Sequence, residues 1–243
     1  MFRRWRRSRL RKQPVPMEWR VTLDRYAPFF AELAPEAQAR LLADMQVFLA
    51  EKLFLAAGGL TLTPEMPVVV AAAAVRIVQG LDVSYFDRLT EIVLYPGGFY
   101  NPLDTEGLDG EAHDWGVVVL AWDAVVEELA NPHDGWNIVC HEFAHVLDRA
   151  DGSFDGTPRL HKAADYRRWA EVMGQAYERL RATAGSGRHV LGEHDVEDEA
   201  EFFAVCTEAF FEIPGELAEE CPEVFAELVT FYRVDPRGDK GTR

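Results

Sequence analysis

Two histidines flank three residues in the run His141-Glu142-Phe143-Ala144-His145, with a glutamate directly after the first. Residues four apart share one face of a helix, so both imidazoles can reach a single divalent ion. Glu142 is rotated aside and can reach a water activated by that ion without ligating it. The ion lowers the pKa of the water, the carboxylate takes the proton, and the same carboxylate can later deliver it to a leaving amine. The chemistry this spacing suits is hydrolysis of an amide. Ile138, Val139, Phe143, Ala144, Val146 and Leu147 make the surrounding helix largely apolar and hence buried. Buried imidazoles and a buried carboxylate are costly unless paired or metal-bound.

A hydrolytic zinc site needs a third protein ligand and an open position. Spacing leaves six candidates: His161, His189, His194, Glu199, Glu201 and Glu208. Glu201 opens the apolar run Phe202–Cys206, where a carboxylate is expensive without a partner. Glu208, seven residues on, shares its face and either braces the site or competes as a ligand. Asp148, three residues after His145, can accept a ring N–H from a ligand histidine and fix its tautomer, or serve as a turn residue at the helix end. A set of two histidines and a glutamate fits Zn2+ best among the common divalent ions, one per chain.

Several elements must position these side chains. Pro35 suits a first helical turn, and Leu41, Leu42, Met45, Phe48 and Leu49 follow at helical spacing, ended by Gly58-Gly59. A second helix, apolar all round and therefore buried, starts at Thr63-Pro64 or Pro67 and runs to Val78. Glu91–Tyr95 reads as a strand, followed by a polar, Gly-bearing loop over Asn101–Asp114. Gly116–Trp122 reads as a second strand, whose free edge can pair with an extended peptide. The turn Asn131–Gly135 leads into the histidine helix, which ends at Asp148. A long amphipathic helix carries Tyr166, Trp169, Met173, Tyr177 and Leu180. Two more are expected, at about Glu197–Glu212 and from Pro222 to Tyr232.

The chain has 243 residues, 48% of them hydrophobic, enough for one sizeable domain. Its formal charge is −16, unevenly spread. Residues 1–12 hold six arginines, one lysine and no acid; the remaining chain has 18 basic against 41 acidic residues, a net of −23. So acidic a body argues against nucleic acid as a partner. It favours cationic peptides or free amino termini instead. Residues 1–16 read as a basic, disordered N-terminal tail without the apolar stretch of a signal peptide. No segment is apolar for long enough to span a membrane. Cys140, Cys206 and Cys221 show no paired spacing and read as reduced thiols of a cytoplasmic protein.

Two segments, NPHDGWNIVCHEFAHVLDRADGSFDGTP over 131–158 and EAEFFAVCTEAFFE over 199–212, resemble the Mlc titration factor A family of bacterial zinc peptidases, of the gluzincin group. Weaker similarity runs through VFLAEKLF, EIVLYPGGFY, VVVLAWDAV and FYRVDP in the same order, so the resemblance spans about Trp19 to Pro236. It implies a helix-rich α+β fold: a zincin-like metallopeptidase core with a catalytic lobe like that of anthrax lethal factor. On this reading 17–236 is one peptidase domain, with lobes at about 17–136 and 137–236 and a loose C-terminal tail over 237–243. The resemblance also implies that Glu201 is the third metal ligand beside His141 and His145, that Glu142 is the general base, and that the activity is aminopeptidase-like, on a peptide or protein substrate. Enterobacterial members of the family bind a glucose repressor, which implies an alternative role: sequestering a transcriptional regulator of sugar uptake, with peptidase activity secondary. One departure stands out. The family's tyrosine seven residues before the ligand glutamate is His194 here, whose imidazolium can also donate to an oxyanion.

Overall fold

The computed structural model describes residues 2–100, 107–113, 116–183, 190–191 and 196–238. Helices α1 (Phe2–Leu10), α2 (Met17–Tyr26), α3 (Phe29–Glu32) and α4 (Pro35–Glu51) precede strand β1 (Leu53–Ala56). Helix α5 (Glu65–Arg76) then leads to β2 (Glu91–Tyr95), and two short pieces, β3 (Phe99–Tyr100) and β4 (Gly107–Leu108), pair with each other. Strands β5 (Gly110–His113) and β6 (Val117–Ala121) follow. The rest is helical: α6 (Trp122–Ala130), α7 (Ile138–Asp148), α8 (Asp165–Thr183), α9 (Glu199–Glu212), α10 (Pro214–Glu220) and α11 (Pro222–Tyr232). The fold is thus mixed α+β and helix-rich, around a small sheet.

The four-stranded sheet has the order β1-β2-β6-β5. The first three strands are parallel, and β5 runs antiparallel to β6 with Gly110 opposite Leu120 and His113 opposite Val117. Ile92, Leu94, Val118 and Leu120 are fully buried, as expected for inner strands. Helix α5 is apolar on every side because it is enclosed: it packs on α4 and α2 and reaches α7, and Val68–Val75 are all buried. Helices α7 and α9 form the most extensive helix pair, with Phe143, Ala144, Phe202, Phe203 and Ala204 in the common core.

Three expectations change. The strand over Gly116–Trp122 has no free edge, because β6 is paired on both sides, by β2 and by β5. The edges belong to β1 and, within what reads as a loop, to β5, which as an edge strand needs no apolar alternation to hold its pairing with β6. Strand β1 lies where the apolar pattern of α4 runs on without a break; α4 stops at Glu51, well before Gly58-Gly59. Most consequentially, the basic N-terminal segment expected as a disordered tail contains α1, held to the body by its arginines. Arg7 is buried and meets Glu51 at 2.5 Å and Asp87 at 2.6 Å. Arg3 pairs with Asp87, Arg6 with Glu51, and Arg11 with Asp44. These acids lie far along the chain, so local composition carries no trace of the pairing.

Among the described residues no helix is long and apolar enough to cross a membrane. All three cysteines are free thiols, Cys140 and Cys206 fully buried.

Candidate metal centre

Helix α7 is started by its own sequence. Asn137 caps it, its side chain accepting the Cys140 N–H at 3.0 Å. The turn before it needs Gly135 in the left-handed region (φ +94°). Helix α9 is capped in the same way by Asp198, whose carboxylate accepts the Ala200 and Glu201 N–H groups at 2.9 Å each. Two capped helices packed together bring the first turn of α9 against the middle of α7.

Three side chains converge there. Nε2 of His141 and Nε2 of His145 lie 3.2 Å apart. Each is 3.2 Å from a different oxygen of Glu201. A tetrahedral ion with ligand bonds of about 2.0–2.1 Å sets its ligands about 3.3 Å apart. The donor types and spacings therefore fit a divalent ion of the zinc class. Among the described residues this is the single cluster of three or more such groups that meets the geometry of a metal site.

The electrostatics point the same way. Burial disfavours a charged His141 ring, but hydrogen bonds to Glu201 and Glu208 outweigh it and raise its pKa well above the ordinary value. His145 goes the other way, pushed down by burial despite its bond to Glu201, with the neighbouring His141 also opposing its charge. Burial pushes the Glu201 carboxyl up, yet its bonds to both imidazoles win and hold it well below the carboxylate range. The site draws positive charge to the point where the three donors meet.

Glu142 follows His141 and is buried. Its pKa is pushed up to about 7, first by burial, with His141 opposing and Glu201, Glu208 and Glu111 adding to the rise. It lies against β5 where that strand has Gly110: a Cβ there would be 2.6 Å from Glu142 Oε1 and 2.8 Å from Cγ. Only glycine lets the free-edged strand pass this close to the carboxylate.

Glu208 occupies the other side of His141. One oxygen meets Nδ1 at 3.0 Å and the other accepts the Asn137 N–H at 2.9 Å. It thereby links the His141 ring to the cap of the same helix, on the ring nitrogen that faces away from Glu201. Asp148 makes no bond to either ring: one oxygen accepts the Gly156 N–H at 3.0 Å, while its other oxygen and His145 Nδ1 are both buried with no partner among the described residues. A short aspartate at the end of α7 meets the loop that follows it, not a ring one turn back.

The remaining candidates lie apart. His161 bonds the Phe231 carbonyl at 2.8 Å and stacks on its ring. Glu199, two residues before Glu201 on α9, packs its backbone against Gly156. His189 and His194 fall outside the described residues. Sequence spacing missed a further layer: Glu212 accepts from Asn137 Nδ2 at 2.9 Å and pairs with Arg76 at 2.7 Å. Its visible signal was a glutamate four residues after Glu208 on the same buried face.

The family model described as glucose-regulated metallo-peptidase M90 matches residues 2–233. The chain belongs to that family. A Synechocystis relative, named uncharacterized protein slr2042, is 32% identical over 96% of this chain and 89% of its own. Mlc titration factor A from Yersinia enterocolitica is 30% identical over 90% of this chain and 86% of its own. The protein of the same name from Pectobacterium atrosepticum is 30% identical over 96% and 91%. The match spans α1 as well as the metal-site helices, so the docked N-terminal helix lies inside the family's extent.

Proposed function

We propose that the protein is a cytoplasmic, zinc-dependent peptidase of aminopeptidase-like activity, with Zn2+ on His141, His145 and Glu201 and Glu142 as general base. The observation that carries this is the convergence of three donor atoms at 3.2 Å spacing beside a buried glutamate. When bound, Zn2+ supplies Lewis acidity, acidifying water and polarising a carbonyl oxygen. Glu142, with a pKa near 7, accepts a proton from the attacking water and returns it to the leaving amine. Gly110 and the free edge of β5 hold an extended peptide beside that carboxylate by backbone pairing. Glu208 keeps His141 in one tautomer and orientation throughout. His194 donates to the developing oxyanion. The same reading takes 17–236 as one catalytic domain of zincin-like fold with a lethal-factor-like lobe.

Glu142→Gln tests the assignment: peptide cleavage should vanish while zinc content stays at one per chain. Unaltered cleavage, or cleavage lost together with zinc, contradicts the role of Glu142. For His194, the Phe substitution should lower turnover far more than zinc content.

The name of the relatives, Mlc titration factor A, supports a second reading in which the chain binds and sequesters a transcriptional regulator. Binding that survives Glu142→Gln, from a protein that holds zinc but cleaves no peptide library, would favour it.

A further inference from the structure

Helix α1 is docked inside out. A helix that packs on a soluble body ordinarily turns its apolar residues inward and its charges to water. In α1 the buried residue is Arg7, while Phe2 is 77% and Trp5 59% exposed. The arginine pairs explain how this comes about. The face that meets the body carries Arg3, Arg6 and Arg7, held by Glu51 and Asp87, with Leu10 packed against the core. A helix seated by those residues presents its opposite face to solvent, and that face carries the two aromatic rings.

The outward face is ordered. Phe2, Trp5 and Arg9 follow at steps of three and four and so share one stripe. The rings of Phe2 and Trp5 lie 6.2 Å apart, and the Arg9 guanidinium stands 5.9 Å from the Trp5 ring. Of the seven cations in residues 1–12, Arg3, Arg6, Arg7 and Arg11 pair with acids of the body. Arg4, Arg9 and Lys12 are left, all exposed and meeting no carboxylate among the described residues.

Two apolar rings flanked by unpaired cations match a surface that is negative at its face and apolar beneath. Aromatic rings settle at the headgroup level of a bilayer, and cations beside them meet anionic headgroups. The size of the face points the same way. Nine residues make a helix about 14 Å long, and a stripe about 10 Å wide covers on the order of 150 Å². A stable contact with a second protein needs about 800 Å² per partner. An interfacial helix needs far less, because the bilayer receives each ring separately. The chain beyond residue 12, with 18 basic against 41 acidic residues, is repelled by an anionic surface, so contact is confined to α1. We propose that the outward face of α1 docks the protein on an anionic lipid surface, with Phe2 and Trp5 entering the headgroup layer and Arg4, Arg9 and Lys12 meeting its phosphates. The helix lies on the membrane and does not cross it.

Co-sedimentation of the full chain with vesicles tests this, using phosphatidylcholine alone and phosphatidylcholine with about a third phosphatidylglycerol. Three cations at about fivefold each give an expected partition constant about a hundredfold higher on the anionic vesicles. Raising the salt from about 0.1 M to about 1 M shortens the screening length from about 10 Å to about 3 Å and should remove most of that preference. Two variants separate the contributions. Phe2→Ser with Trp5→Ser should weaken binding to the anionic vesicles by about tenfold or more. Arg4→Gln, Arg9→Gln and Lys12→Gln together should erase the preference for them. All five residues are exposed, so both variants should unfold at the temperature of the starting protein. No binding, equal binding to the two kinds of vesicle, or binding to the anionic vesicles that either variant leaves unchanged overturns the proposal. Self-association in sedimentation equilibrium, without vesicle binding and lost in the aromatic variant, also overturns it and gives the face to a second copy of the chain.

Discussion

Two buried polar clusters in this molecule contain similar residues and behave in opposite ways. At the N-terminal clamp, Arg7 is closed in by Glu51 and Asp87, with Arg3 and Arg6 completing the set. Burial works against both charged forms, yet the pairing prevails: Arg7 is raised and Glu51 lowered from their ordinary pKa values. At the metal centre carboxylates gather beside carboxylates. Glu142, and Glu128 of α6, whose carboxylate accepts the Ile138 N–H at the start of α7, are each pushed up to about 7, chiefly by burial and further by neighbouring acids. The protein supplies Arg76 to Glu212, whereas Glu201 meets the two imidazoles and Glu208 meets the His141 ring and the Asn137 N–H. A buried cluster balanced by its own cations is structural. One that gathers acids and aims three donors at a single point is built for a guest cation.

The largest effect expected is the loss of that guest. Zinc at a thousand times its Kd should stabilise the protein by about 4 kcal/mol, read as a rise in Tm. In Glu201→Ala that rise should disappear, with cleavage lost alongside it. If Glu201→Ala keeps the full zinc-induced shift, the contrast between the two clusters fails at its first point.

Arg7→Ala breaks the other cluster. It leaves the buried carboxylate of Glu51 with only the more exposed Arg3 and Arg6, and should cost about 1–3 kcal/mol in denaturant unfolding. Zinc affinity should stay within about twofold of its starting value. A loss below about 1 kcal/mol would mean that α1 is only loosely docked.

Much of the metal-site cluster is legible in the order of the residues, and little of the clamp. Helices α5, α7 and α9 are apolar runs, the last two capped by Asn137 and Asp198, so their burial and the cost of His141, Glu142 and Glu201 within them follow from composition. The meeting of Glu201 with the histidine pair rests on packing between helices more than fifty residues apart, and spacing alone left it one of six. Strand β5 is hidden because Gly110 is a loop-forming residue and Glu111 a charged one; its register comes from the backbone of β6. Helix α1 was hidden because seven cations in twelve residues look like a solvated tail until Glu51 and Asp87 arrive from elsewhere.

A smaller effect should separate bracing from ligation. Glu208→Gln keeps the shape but weakens the hold on His141 Nδ1, and zinc affinity should fall about 10–100-fold without being abolished. Abolition would place Glu208 on the metal itself.

The smallest effect is in pH. Glu51 has a lowered folded pKa, so its stabilisation is present above about pH 4.5 and is lost as pH falls. Glu128 has a raised one, so the folded state holds more protons than the unfolded chain between pH 4.5 and 7, and stability falls as pH rises through that window. Glu128→Gln in the metal-free protein should remove that decline, on the order of 1 kcal/mol once solvent screening is allowed for. Glu51→Gln should instead flatten the acid side of the profile. Identical pH profiles for the two variants would erase the distinction drawn between the clusters.

The central claim is that α7 and α9 together hold one zinc ion through His141, His145 and Glu201. Anomalous diffraction at the zinc edge on crystals of the zinc-loaded protein tests it most directly. The expected result is a single peak, one ion per chain, within about 2.0–2.2 Å of both imidazole Nε2 atoms and an oxygen of Glu201. A peak ligated by Glu208 or His194 in place of Glu201, or no peak between the two helices, would contradict it.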